Sequence, residues 1–370
     1  MKLKKLLFLA LCLVVAMFAL TACGGDEAAT EEGGEATTSE DGTYTIRIAH
    51  TEAEDRSLQK ACEEFEKWIE AESGGAVQVE TYPNGSFSGS DSDILQATAL
   101  GQLEIGLPAA QAFTEYNPVW GMLDLPYLFD SADAYFHAMD GELGDALTAT
   151  LEGTEFHMLG YAFMGVKQMT NSIRPIHTVA DLEGLKMRTQ QSDAHIAMYE
   201  AMGANPTPMS FGEVFTALQQ GTVDGQDQTG TIIWAQKWYE AQKYMTITNH
   251  NYGTMCFVAS AGWWDGLPDD IKAMVEEGTK TYLIDWQRDY ELQAEGECQQ
   301  LIADAGIEVY TPTEEELQTF KDAVAPMLES YAQEWGQEWF DMAAAANEAA
   351  ASGGDAAAEG DAAAEEDAAA

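Results

Sequence analysis

Lys186 and Arg188 sit one residue apart in the run Leu185-Lys186-Met187-Arg188, and they are the strongest chemical signal in the chain. The run reads as a strand, so alternate side chains share a face and the two cations fall together. A guanidinium offers paired donors that match the two oxygens of a carboxylate. Taken alone, an arginine on a strand is more often a surface ion-pair partner, and residue type leaves both readings open. Patterns for covalent chemistry do not occur. The sequence has no H-E-x-x-H, G-x-S-x-G, G-x-G-x-x-G or phosphate-loop motif, and His50, His137, His157, His177, His195 and His250 are dispersed without metal-ligand spacing. With 63 Asp and Glu, carboxylates fall near one another by chance, so their abundance does not point to a glycosidase. No cofactor and no metal are expected, and the chain reads as a binding protein rather than an enzyme.

The formal charge of −46 excludes nucleic acid as a partner, because phosphate recognition needs clustered cations. Screening over about 8 Å still leaves a local cationic pocket effective for a small anion. Of the five cysteines, Cys12 and Cys23 lie near the N-terminus. Cys62, Cys256 and Cys298 are scattered without C-x-x-C spacing and read as buried free thiols.

The elements that would position the cations alternate between strand and helix. Thr45 to His50 alternates with period two, and Leu58, Ala61, Cys62, Phe65, Trp68 and Ile69 recur at helical spacing until Gly74-Gly75. Val77 to Glu80 returns to period two, a helix begins near Asp91 and runs to Gly101, and a short strand follows at 103–107. Such a β-α-β-α-β run favours a parallel sheet covered by helices, with its crevice at the strand carboxyl ends, where His50, Thr51, Pro108 and Ala109 fall. Further on, Thr178 with Asp181 and Ser210 with Glu213 mark helix starts, and Gly203 and Gly221 mark helix ends. Arg188, Phe211 and Gln228 then lie at element ends, again where α/β crevices are lined.

The termini differ from this body. A basic start and the apolar residues 6–20 have the layout of a secretory signal, and Leu20-Thr21-Ala22-Cys23 resembles a bacterial lipobox. That resemblance implies a signal peptide at 1–22, lipidation of Cys23 and attachment to the outer face of the cell membrane, or its periplasmic side where there are two membranes. Residues 23–43 read as a flexible acidic linker. Residues 343–370, composed of small, polar and acidic residues, read as a disordered tail.

Three stretches make the sequence recognisable: Gly184-Leu185-Lys186-Met187-Arg188, then Ala201 to Glu213 with Asn205-Pro206-Thr207-Pro208, then Leu218-Gln219-Gln220-Gly221-Thr222-Val223-Asp224-Gly225-Gln226-Asp227. With Asp124-Leu125-Pro126-Tyr127-Leu128-Phe129 and Thr248-Asn249-His250, they closely resemble the DctP family, the solute-binding proteins of TRAP transporters. The resemblance implies an α/β, two-domain periplasmic-binding-protein-like fold with a ligand cleft between domains, hinge strands and a long domain-spanning helix from Asp269 to about Ala305. It places domain I at 44–165 plus 254–293 and domain II at 166–253 plus 294–342.

It also implies a small organic acid as ligand, membrane permease subunits as partners and a monomeric state. Arg188 would grip the ligand carboxylate, with Lys167 where many members carry a second arginine and Gln228 where many carry asparagine. Phe211 would pack on the carbon frame, its bland alternative being a core or staple residue. His50, Thr51, Ser90, Asp91, Ala109 and Trp234 would lie near loops aimed into the cleft, and any of them could be structural. The competing reading is a sensory or otherwise coupled binding lipoprotein of the same fold.

Overall fold

The computed structural model describes residues 42–368, with side chains described as far as Ser352. The expected signal peptide, Cys23 and nearly all of the expected linker lie outside the described residues.

The period-two pattern at the start forms β1 (Tyr44–Ala49), with Ile46 and Ile48 fully buried on one face. Helix α1 (Ser57–Glu72) lays its stripe of Leu58, Ala61, Cys62, Phe65 and Ile69 against the same core. The chain returns as β2 (Val77–Tyr82), parallel to β1 in register Tyr44↔Val77. Helix α2 (Asp91–Ala99) follows, and then β3, which at Ile105–Gly106 is shorter than the expected 103–107. Helix α3 (Ala132–Met139) leads towards β4 (Phe156–Asn171).

A second group of strands follows: β5 (Lys186–Thr189), β6 (Asn205–Pro208) and β7 (Gly225–Thr229). Helices α4 (Asp193–Ala201), α5 (Val214–Gln220) and α6 (Gly230–Ala235) accompany them. The local signals behave as read: Thr178/Asp181 and Ser210/Glu213 both form capping boxes, and Gly221 closes α5 in the left-handed conformation at φ 68°.

Strands β4 and β8 (Tyr244–Ser260) join the two groups, and the sheet order is β2-β1-β3-β8-β4-β7-β5-β6. At 16 and 17 residues, these two antiparallel strands are long enough to belong to both halves. Their register shifts between Phe163 and Val166, beside Gly165 at φ 101°. A Cβ on Gly165 would stand 2.6 Å from Glu295 Oε1, so only glycine lets the strand approach the helix there. Strand β9 (Glu308–Tyr310) adds to β8 in parallel.

The expected long helix is present as α7 (Asp269–Gly278), a π-helical segment (Thr279–Trp286) and α8 (Gln287–Asp304) in uninterrupted succession. Cys62, Cys256 and Cys298 are buried free thiols.

The tail departs from expectation. After α9 (Glu314–Trp335), helix α10 runs Gln337–Ala368, and its first turns are packed rather than disordered. Ala343 and Ala346 are buried in the cluster that includes Ala134, Tyr135 and Ala138 of α3. Asn347 accepts from Asp130 N–H at 3.0 Å and donates to Leu128 O at 3.1 Å. Alanine is the strongest helix former, and alanines spaced three and four apart give a smooth face that seats close to a neighbour. A lack of large apolar residues was therefore not a lack of packing.

Candidate ligand-binding site

Between the two strand groups lies a cavity of about 110 Å³, lined among others by Thr51, Glu52, Ser90, Asp91, Ala109, Gln111, Met164, Arg188, Gln190, Met209, Phe211 and Gln228. The lining comes from the carboxyl ends of β1, β5 and β7 and from the loops before α2 and α5, as expected for an open α/β sheet.

Arg188 is 2% exposed, whereas Lys186, on the same strand face, is exposed at the strand's start. Arg188 Nη2 donates to Met209 O at 3.1 Å, and its Nε and Nη1 have no partner. Among the described residues it forms no ion pair. Burial lowers its pKa to about 10, opposed electrostatically by Asp227, Tyr199 and Asp91. A buried charged donor without an acceptor costs about 1–3 kcal/mol or more, and an anion placed in the cavity would remove that cost.

Asp227 explains how the guanidinium is tolerated. Its carboxylate receives His195 Nε2 at 2.9 Å, His250 Nε2 at 3.1 Å and the Tyr199 hydroxyl at 3.0 Å. Gln190 N–H donates to His195 Nδ1 at 3.1 Å, so that nitrogen carries no proton and Nε2 is the donor. At His250 burial lowers the pKa, while its Nδ1 meets the Thr248 hydroxyl at 2.8 Å. Burial alone would raise Asp227, but interactions with His195 and then His250 outweigh it and hold the carboxyl well below its usual range. The result is a fixed anion behind Arg188, satisfied by other donors, which leaves the guanidinium free at its front.

Lys167 is buried and donates to Gln190 Oε1; it lines an adjoining small chamber that shares Ala109, Gln111, Met164 and Gln190 with the cavity. Gln228 accepts from Thr229 N–H at 3.0 Å, and no hydrogen bond among the described residues occupies its amide nitrogen. Phe211 stands at the cavity wall with its ring tilted against Trp238 at 5.4 Å. Ser90 caps α2 by accepting from Asp93 N–H at 3.4 Å, and it lines the cavity as well. Asp91 accepts from the Thr51 hydroxyl at 3.2 Å and from Ala109 N–H, and burial raises its carboxyl to about 6.

Two expected residues fall elsewhere. His50 shares the face of Ile46 and Ile48, so it points into the core, where Nε2 meets Gln59 Oε1 at 3.1 Å and burial lowers its pKa to about 4. Trp234 leaves the core to Ile232 and Ile233, stacks on Tyr239 at 4.8 Å and lines a separate hollow with Arg56, Tyr290 and Glu291. Glu52, Gln111, Gln190 and Met209 were missed. For Glu52 a signal existed, since it follows Thr51 beyond the end of β1.

Behind Glu52 lies a buried carboxyl cluster. Arg56 Nε pairs with Glu52 Oε2 at 2.9 Å and Nη2 with Glu291 Oε1 at 3.1 Å, while Nη1 donates to Thr231 Oγ1 at 2.6 Å. Ser57 donates to Glu291, and the Thr231 hydroxyl lies 2.5 Å from Glu291 and 3.0 Å from Glu295. Burial pushes both Glu52 and Glu295 up to about 7. The cluster ties α1 and α6 to α8.

The model of bacterial extracellular solute-binding protein, family 7 (DctP), matches residues 48–334. The chain belongs to this family. It is 32% identical over 286 residues to the 2,3-diketo-L-gulonate-binding periplasmic protein YiaO of Escherichia coli, covering 76% of this chain and 84% of the relative. This DctP-family protein also superposes on the sugar acid binding protein DctPAm of Advenella mimigardefordensis in complex with galactonate, with a TM-score of 0.80 at 30% identity over 83% of this chain and 99% of the other. A TRAP periplasmic solute binding protein of Shewanella oneidensis with bound succinate gives 0.79 at 30% identity, over 82% and 99%. The fold is thus the two-domain α/β fold of TRAP solute-binding proteins, a family of substrate-binding transport proteins. Among the described residues no helix is long and apolar enough to cross a membrane.

Proposed function

We propose that this DctP-family protein captures a small organic acid by closing its two domains over it, with Arg188 as the carboxylate anchor, and hands it to a membrane permease. The observation that carries this reading is a guanidinium 2% exposed with two N–H donors unpartnered at a cavity wall. A charge-assisted contact between a carboxylate and these free guanidinium donors contributes about 1.5–3 kcal/mol. In this reading Lys167 adds positive charge from the adjoining chamber, Gln228 orients the acid and Phe211 packs its carbon frame. Residues 44–165 plus 254–293 and 166–253 plus 294–342 are the bodies that close, hinged on β4 and β8. No covalent chemistry is required. The protein works as a monomer tethered by a lipidated Cys23. Relatives named for a diketo-gulonate, galactonate and succinate support an acid as ligand.

The test is a thermal-shift screen against monocarboxylates, dicarboxylates, sugar acids and neutral sugars. A ligand at 100 times its Kd stabilises by about 2.7 kcal/mol. A rise confined to acids and abolished in Arg188→Ala is expected. Response to neutral sugars alone would overturn the assignment of Arg188.

A further inference from the structure

The cavity is electrically lopsided. Arg188 supplies the cationic end, with Lys167 reaching it from the next chamber. The same lining carries carboxyls: Asp91, Glu52 and Glu115 all border the cavity. Glu52 is committed to Arg56 at 2.9 Å. Asp91 forms no ion pair among the described residues; it is held in place by the Thr51 hydroxyl at 3.2 Å and Ala109 N–H. Arg188 and Asp91 line the same cavity and interact electrostatically without forming an ion pair. The rest of the lining is rich in short hydroxyls and amides, including Ser92, Gln111 and Ser210.

Resting on the reading of Arg188 as carboxylate anchor, we propose that the ligand is a polyhydroxylated monocarboxylate of the sugar-acid class, and that Asp91 sets this specificity by accepting its hydroxyl groups and repelling a second carboxylate. A dicarboxylate bound through Arg188 would turn its far carboxylate towards Asp91, Glu52 and Glu115, with no free cation there among the described residues to receive it. A like-charge contact in a buried cavity is costly, whereas a carboxyl facing hydroxyls gains charge-assisted hydrogen bonds.

The experiment is calorimetric titration of the full chain, wild type and Asp91→Asn, with D-galactonate, D-glucuronate, succinate and L-glutamine. Wild type should bind at least one sugar acid about tenfold or more tighter than succinate, a gap of about 1.4 kcal/mol. Asp91→Asn should narrow the gap from both sides, weakening the sugar acid and strengthening succinate. Thr51→Val, which frees Asp91 from its hydroxyl partner, provides a second variant should Asp91→Asn misfold, and it should weaken the sugar acid in the same direction. Succinate binding as tightly as the sugar acids to wild type would overturn the inference and leave the carboxylate anchor standing. Tightest binding of L-glutamine would overturn it too, by showing that Asp91 holds an ammonium. If no acid binds, or if Arg188→Ala binds them unchanged, the anchor itself fails, which is a distinct result.

Discussion

Two buried arginines in this molecule are built to opposite ends. Arg56, 4% exposed, touches Glu52, Glu291 and Thr231, and although burial opposes it, the two carboxylates raise its pKa. Arg188, 2% exposed, has its anion Asp227 only at a distance, and burial lowers its pKa to about 10. The first is a structural joint between α1, α6 and α8, ion-paired to two carboxylates. The second is kept incomplete: its Nε and Nη1 have no partner, and the residue lines the cavity. Exposure cannot separate the two roles; the census of partners does.

The sharpest break of this contrast is to remove each charge in turn. Arg56→Met should destabilise the protein by about 3–5 kcal/mol in urea unfolding, since it strands Glu52 and Glu291 without their cation. Arg188→Met should change the stability of the ligand-free protein by less than about 1 kcal/mol, because Asp227 keeps its three donors. Equal losses would abolish the distinction. Next in size, Asp227→Asn should cost about 2 kcal/mol of stability by disturbing His195, His250 and Tyr199, and should also weaken acid binding through Arg188. Unchanged affinity in that variant would show that Arg188 holds its pose without help.

The pH profile sharpens the other side. Glu52 and Glu295 are both raised to about 7 by burial, so between the ordinary glutamate range and about 7 the folded state binds more protons than the unfolded. Stability then falls as pH rises through that window, by an amount on the order of 1–2 kcal/mol, and the melting temperature should be higher at pH 6 than at pH 8. Glu52→Gln with Glu295→Gln should flatten the slope. The smallest expected effect is at the tail: ending the chain after Met342 should cost about 1 kcal/mol through loss of Ala343, Ala346 and the Asn347 bonds, measured by the same unfolding.

Local signals in the sequence were sufficient for much of the scaffold. The capping boxes at Thr178 and Ser210, the left-handed Gly221 and the α1 stripe each depend on residues within a turn or two of one another. Arg188 was legible because strand ends point at crevices and because the surrounding run resembles the family. The network behind it was not, since Asp227 meets His195 and His250 from 32 and 23 residues away on other elements. Arg56 and Glu291 are 235 residues apart, and no pattern in sequence announces such a pair. His50 was misplaced because a strand end allows two directions, and here the alternation of Ile46 and Ile48 decided for the core.

The long pair β4 and β8 also constrains how the chain comes together. Met169 pairs with Thr246 and Phe156 with Ser260, so the central ladder encloses a loop that holds β5, β6 and β7. Closing so long a loop carries an entropic cost before its contacts repay it, and non-local pairing of this kind slows folding. Neither half can complete its sheet until Tyr244 and the residues after it are available. The two domains are therefore coupled in time during folding as well as in space, and a chain interrupted before β8 would leave the edges of both unpaired.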